Sequence, residues 1–190
     1  MSLAGDWSYP TKMRLGAGRI QELGEACSEI GIDKPPIIIA EMSGNHNQSL
    51  ERALQIVKAA ANVGAHMFKL QTYTADTITL DVEGKEFFIS DADSLWKDRS
   101  LYALYQEAQT PWEWQKEIIE QANALGLTCF SSVFDESSVD FLEDLDIPAY
   151  KIASPECVHL PLIQKVAFTN KPIVISTAVS YTHLTLPTKA

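Results

Sequence analysis

Residues 67–72 read MFKLQT, an apolar run carrying one lysine and closing on polar side chains. Four other short runs share that form: IIIAE at 37–41, TCFSS at 128–132, YKIAS at 150–154 and IVIST at 173–177. Short apolar runs separated by helical patterns signal parallel strands joined by crossover helices. In such a sheet every strand points the same way, so every run ends at the same edge. That edge collects Glu41, Lys69, Gln71, Ser131, Ser132, Lys151, Ser154, Ser176 and Thr177. Two ammonium groups, several hydroxyls and a carboxylate on one rim describe a site for a phosphorylated or carboxylated small molecule.

Between the runs the period lengthens to that of a helix. Leu50, Ala53, Leu54, Val57, Ala60, Ala61 and Gly64 fit one helical face, with Ser49 as the N-cap. Trp114, Ile118, Ala122 and Leu125 mark a second helix ended by Gly126. Val139, Leu142 and Leu145 mark a third after Asp135, and Leu162, Ile163, Val166 and Ala167 a fourth. Repeated strand–helix order argues α/β with a parallel sheet. One long excursion interrupts it, residues 73–111, rich in charge and aromatics. Long loops in compact domains tend to be functional. This one leaves the C-terminal end of the second run and reads as a substrate-covering element with a short helix near residues 100–108.

The chain has 190 residues, 46% hydrophobic, with a formal net charge of −10. That charge argues against nonspecific binding to nucleic acid or acidic membranes. No apolar run approaches the roughly 20 residues of a membrane span. The first residues lack a basic start followed by an apolar stretch, so a cytoplasmic location is expected. Cys27, Cys129 and Cys157 are odd in number and lack metal-ligand spacing, and read as buried thiols.

Two ends fall outside the strand–helix rhythm. Residues 7–35 resemble the start of iron-containing alcohol dehydrogenases, where a strand leads through Gly16-Ala17-Gly18 into a helix. The likeness covers about thirty residues and carries none of that family's metal ligands. Residues 179–190, VSYTHLTLPTKA, resemble a translated sequencing adapter. The expected organisation is a foreign-looking segment at 1–35, an α/β body at 36–177 and an adapter-like tail at 178–190. His183 in that tail is no ligand candidate.

The segments IIIAEMSGNHNQSL, FKLQTYTADTITL, SLYALYQEAQTPWEW, DIPAYKIASPEC and KPIVIST resemble the sialic acid synthase family over about residues 36–177. Within it, EFFI, SLW and YQEAQTPWEW look like the pseudaminic branch rather than the N-acetylneuraminate branch. The resemblance implies a (β/α)₈ TIM barrel followed by an antifreeze-like domain. This chain holds about five of the eight strand–helix units. It implies condensation of phosphoenolpyruvate with an open-chain amino sugar, here 2,4-diacetamido-2,4,6-trideoxy-altrose, giving pseudaminic acid and phosphate. It also implies a divalent metal, Mn²⁺ or Mg²⁺, whose two histidine ligands come from later strands outside this chain, and a homodimeric parent. The truncated chain is therefore expected to be inactive. By motif position Lys69, Lys151, Ser154 and Ser176 form the phosphoenolpyruvate clamp, with Gln71, Ser132 and Thr177 nearby. Glu41 takes the acid/base or water-orienting role, and Asn45 and His46 face the sugar. N-acetylneuraminate synthase and a noncatalytic sugar-phosphate binding module remain as alternatives.

Residue chemistry bears on these roles independently. A lysine inside an apolar strand is costly unless its ammonium reaches a rim or a partner, which makes Lys69 and Lys151 functional candidates. Serines at strand ends are common as turn residues. Glu156 reads as a partner of Lys151 or a solvated side chain, and Asp76 and Asp81 as solvated loop. His66 reads as a surface or packing residue, and His159 as a helix cap.

Overall fold

The computed structural model describes residues 5–8, 12–15, 36–82, 84–91 and 93–176. Two short strands, β1 (Gly5–Ser8) and β2 (Lys12–Leu15), pair antiparallel. The helix expected after Gly16-Ala17-Gly18, the tail at 178–190, and Cys27 lie outside the described residues.

The main body alternates as the sequence patterns require. Its elements run β3 (Ile39–Glu41), α1 (Leu50–Asn62), β4 (Met67–Thr72), α2 (Ala75–Ile78) and α3 (Leu101–Ala108), then α4 (Trp112–Ala124) and β5 (Thr128–Val133). They continue through α5 (Glu136–Asp144), β6 (Tyr150–Ile152), α6 (Leu160–Phe168) and β7 (Ile173–Ile175). The sheet order is β3-β4-β5-β6-β7, with every pair parallel. A doubly wound sheet reverses its strand order partway. Here spatial order follows chain order throughout, the pattern of a barrel wall winding one way with its helices on one face.

Side-chain alternation separates the two faces. Phe68, Leu70, Cys129, Val133, Tyr150 and Ile152 are buried in one cluster with Val57, Ile118, Leu142, Leu162 and Val166 from the helices. Each large apolar side chain buried there contributes about 1.5–3 kcal/mol relative to exposure. Thr72 and Ser131 also face this layer. Their hydroxyls lie 2.7 Å apart, and Thr72 Oγ1 donates to Gln115 Oε1 at 2.8 Å. Ser131 is thus a buried link between sheet and α4 and does not belong to the rim, because it is out of phase with Ser132.

Helix ends follow the sequence signals. Ser49 accepts from the Arg52 N–H, Ser100 from Ala103, and Asp135 from Ser137 and Ser138. Gly64 and Gly126, at φ 85° and 81°, take the left-handed turns after α1 and α4. His159 occupies the N-cap of α6, yet its side chain makes no capping bond. The first run is shorter as a strand than its apolar length, with Ile37 67% exposed. His66 fastens the entry to β3, its Nδ1 accepting from the Ile38 N–H at 3.0 Å.

The described residues of the excursion are held by bonds among themselves and to residues just past β4 and β5. Phe88 bridges Ser100 antiparallel, and Ile89 and residues 98–99 exchange backbone hydrogen bonds beside it. Tyr102 donates to Asp76 at 2.8 Å, so Asp76, exposed as expected, also ties α2 to α3. Tyr73, just past β4, packs edge-on against Tyr105 of α3 and against Phe134, just past β5.

Candidate functional site

Strand register decides which polar side chains meet. Glu41 pairs with Lys69, Gln71 with Ser132, Ser132 with Lys151, and Lys151 with Val174. Paired residues on neighbouring strands point to the same face, and so do residues two apart on one strand. Glu41, Lys69, Gln71, Ser132 and Lys151 therefore share the face turned away from the helices, and Ser176 extends it.

The side chains there are joined by hydrogen bonds. Lys69 Nζ donates to Glu41 Oε1 at 2.6 Å and to Ser132 Oγ at 3.3 Å. Gln71 Nε2 reaches the same Glu41 oxygen at 3.4 Å, and Ser43 Oγ donates to Gln71 Oε1 at 3.1 Å. Lys151 Nζ donates to Ser176 Oγ and to the Ile152 carbonyl, both at 2.6 Å. Burial, aided by the neighbouring Lys69 ammonium, holds Lys151 below the usual lysine range, although Glu41 and Glu156 pull the other way. An ammonium has three N–H donors. Each lysine spends two on the described residues, which leaves one apiece for an anion set between them.

Ser154, two residues past the end of β6, starts the turn Pro155–Val158, which its hydroxyl does not cap. Glu156 in that turn has a buried Oε2 without a partner among the described residues, and burial raises its carboxyl above the usual range. The residue as a whole is half-buried and makes no hydrogen bond with Lys151, although the Lys151 ammonium acts on its carboxyl through charge. Thr177 lies outside the described residues.

The loop after β3 departs from expectation at one residue. Asn45 is exposed, its Nδ2 donating to the Met42 carbonyl at 2.8 Å. His46, expected to face a substrate, is fully buried. Its Nδ1 accepts from the Gln48 N–H at 3.1 Å, so its Nε2 carries the proton facing Thr110 Oγ1 at 3.1 Å. Trp114 packs edge-on against the ring, and burial lowers the imidazole pKa below 6.5. His46 is a neutral pin between this loop and the start of α4, with both nitrogens spent. It is not a catalytic group in this arrangement. Gln48 adds a second fastening, donating to the carbonyls of Glu107 and Gln109 at 2.7 and 2.8 Å.

That loop holds Ser43, Asn47 and Gln48 at φ 51°, 49° and 53°. Left-handed non-glycine residues cost energy and persist where the surroundings impose them. Gly44 is required by proximity, since a Cβ would stand 3.0 Å from the Ala108 carbonyl oxygen. Between this loop and the excursion opens a cleft of about 380 Å³, whose lining includes Ser43, Asn45, Asn47, Trp96, Tyr105 and Glu107. Ser43 belongs to both cleft and rim. Site assignment by strand ends passed over Ser43, Trp96 and Tyr105. The aromatic richness of the excursion was the available signal.

Among the described residues no group of three His, Cys, Asp or Glu side chains could hold a metal ion. Glu41 is committed to Lys69 and Gln71, so the described residues do not fit the divalent ion that the resemblance implies. No helix among them is long and apolar enough to cross a membrane.

Comparison with known proteins agrees with this architecture. The NeuB family model matches residues 56–184. The chain is 45% identical over 148 residues to the pseudaminic acid synthase of Campylobacter jejuni serotype O:2, covering 78% of this chain and 43% of that protein. It is 46% identical over 153 residues to the pseudaminic acid synthase of Helicobacter pylori, covering 80% and 44%. It thus spans less than half the length of these curated relatives. Among solved structures, the spore coat polysaccharide biosynthesis protein SpsE of Bacillus subtilis superposes with TM-score 0.57 at 35% identity, over 77% of this chain and 37% of that one. The N-acetylneuraminic acid synthetase of Leptospira borgpetersenii superposes with TM-score 0.65 over 96% of this chain and 52% of that one. At 20% identity that likeness speaks for the fold alone. With its strand order, rim and sequence matches in accord, the chain belongs to the NeuB family.

Proposed function

We propose that the rim binds phosphoenolpyruvate, and that the whole protein condenses it with 2,4-diacetamido-2,4,6-trideoxy-altrose to pseudaminic acid and phosphate. The observation carrying this reading is the convergence of Lys69 and Lys151 on one face, each with an N–H to spare and flanked by the hydroxyls of Ser132 and Ser176. Such a pair suits a compact trianion, and the 45–46% identity to two pseudaminic acid synthases supports this branch.

The chemistry assigns work to the residues present. Carbon 3 of the enol phosphate forms a bond to the sugar's aldehyde carbon, whose oxygen takes up a proton. Water adds at carbon 2, gives up a proton, and the bond from carbon 2 to the phosphate oxygen breaks. Lys69 and Lys151 hold the phosphate and carboxylate charge, and Ser154 and Ser176 add hydroxyl donors. Glu41, anchored by Lys69, lies where a carboxylate can accept the water's proton. The parent acts in the cytoplasm as a homodimer on this reading. On this reading the 190-residue chain binds phosphoenolpyruvate but releases no phosphate, because the five-stranded sheet of the described residues leaves the rim open to water, where charge interactions weaken.

Phosphorus NMR tests both halves. Phosphoenolpyruvate titrated into the chain should show saturable binding, lost in the double variant Lys69→Met/Lys151→Met, and no inorganic phosphate should form with sugar and Mn²⁺ added. Unchanged binding in the double variant refutes the clamp. A sugar phosphate bound more tightly than phosphoenolpyruvate favours the noncatalytic module instead.

A further inference from the structure

The cleft beside the rim differs from the rim in chemistry. Its lining offers the amides of Asn45 and Asn47 and the rings of Trp96 and Tyr105. Its carboxylate, Glu107, is paired with Arg99 at 2.6 Å. No unpaired charge is thus presented there among the described residues, whereas the rim sets two ammonium groups against one carboxylate. The cleft is also continuous with the rim through the hydrogen-bond chain Ser43–Gln71–Glu41. A neutral molecule reacting with an anion held by Lys69 and Lys151 would occupy this space.

We propose that Trp96 determines specificity by forming the apolar wall for the neutral second substrate, contacting its deoxy methyl end while Asn45 serves an acetamido group. Asn45 Nδ2 spends one of its two N–H groups on the Met42 carbonyl, and its Oδ1 can accept from an amide N–H. Trp96 lines the cleft and is 49% exposed, beside Leu95 at 93%. Its anchoring is local, with its backbone N–H donating to Ser94 Oγ and its carbonyl accepting from the Arg99 N–H. An aromatic ring left half in water at a cleft mouth has apolar surface still to cover. A methyl group in place of a hydroxymethyl supplies the match. This inference rests on the proposed reaction and adds the residue that selects its sugar.

The test is a binding experiment on the 190-residue chain with three probes: phosphoenolpyruvate, 2,4-diacetamido-2,4,6-trideoxy-altrose and N-acetylmannosamine. Indole N–H signals from ¹⁵N-tryptophan-labelled protein give the readout, with Trp96 identified by Trp96→Phe. The expected result is that the diacetamido sugar shifts the Trp96 signal and binds about tenfold more weakly to Trp96→Ala, the scale of one lost apolar group. Trp96→Phe should retain most of the affinity, N-acetylmannosamine should be insensitive to the substitution, and phosphoenolpyruvate binding should stay unchanged. Equal diacetamido-sugar binding to wild type and Trp96→Ala, or no sugar binding while phosphoenolpyruvate binds, overturns this inference and leaves the rim assignment standing. Failure of phosphoenolpyruvate to bind the wild-type chain overturns the proposed reaction itself.

Discussion

Replacing Lys151 by methionine should separate function from stability. In the fold its ammonium donates to Ser176 Oγ and to the Ile152 carbonyl, which also accepts from the Ser176 N–H at 3.1 Å. Methionine therefore leaves that carbonyl satisfied and removes a charge that burial and Lys69 both oppose. Stability should change by no more than about 1 kcal/mol, since a buried charge replaced by an apolar side chain of similar size is often neutral or favourable. Binding should respond differently. One ammonium about 4 Å from a unit negative charge gains about 1 kcal/mol in water and about 4 at an effective dielectric constant of 20. For a half-buried lysine on an open face, about 2 kcal/mol is reasonable, a roughly thirtyfold loss of phosphoenolpyruvate affinity. The pH dependence carries a sign. The folded pKa lies below the unfolded 10.5, so between the two values the unfolded chain binds more protons. The penalty from the buried charge holds below the folded value and is relieved as pH rises through it, so wild type should gain on Lys151→Met toward pH 10.5. Calorimetric titration and thermal denaturation at several pH values measure all three quantities. Affinity within threefold of wild type, or destabilisation beyond about 3 kcal/mol, would make Lys151 a structural ion and refute the reasoning.

Three further substitutions probe the scaffold, each by thermal or urea denaturation. His46→Leu strands the Gln48 N–H and Thr110 hydroxyl and should cost about 2–3 kcal/mol. Because the folded His46 pKa is depressed, its contribution is complete above pH 6.5 and lost as pH falls through the folded value, a dependence the variant should lack. Gly44→Ala sets a methyl 3.0 Å from the Ala108 carbonyl oxygen and should cost about 1–3 kcal/mol, with the cleft distorted. Thr72→Val removes the donor to Oε1 of Gln115, a side chain whose Nε2 lacks a partner among the described residues, and should cost about 1–3 kcal/mol.

The five runs were legible because a parallel strand buried on its helix side needs an apolar run, whatever lies at its end. Ser49 was legible as a cap because its oxygen answers a backbone donor that the helix cannot satisfy, and Ser100 and Asp135 do the same in the structure. The rim was legible less completely. Listing strand ends placed Ser131 beside Ser132, although adjacent residues on a strand face opposite ways. His46 misled in the opposite direction: next to Asn45 it reads as a site residue, and only the Thr110 and Trp114 contacts, 64 and 68 positions away, show why it is buried. No local pattern carries such long-range partners. Asp76 was hidden in the same way, since its partner Tyr102 lies 26 residues on.

Parity also explains how one sheet supplies both stability and chemistry. On β4, Phe68, Leu70 and Thr72 enter the helix layer while Lys69 and Gln71 reach the opposite face, so five consecutive residues serve two purposes without compromise. A single-residue slip against β5 would exchange them, burying Lys69 among Ile118 and Ala122 and turning Phe68 to the rim. Burying an unpaired ammonium costs several kcal/mol, so the lysine that binds the anion also guards the register. Glu41 completes the argument. Its pairing with Lys69 across β3 and β4 at 2.6 Å is available only in the observed alignment. The polar rim thus helps specify the sheet that displays it, and removing its charges should loosen register before it lowers the apolar contribution to stability.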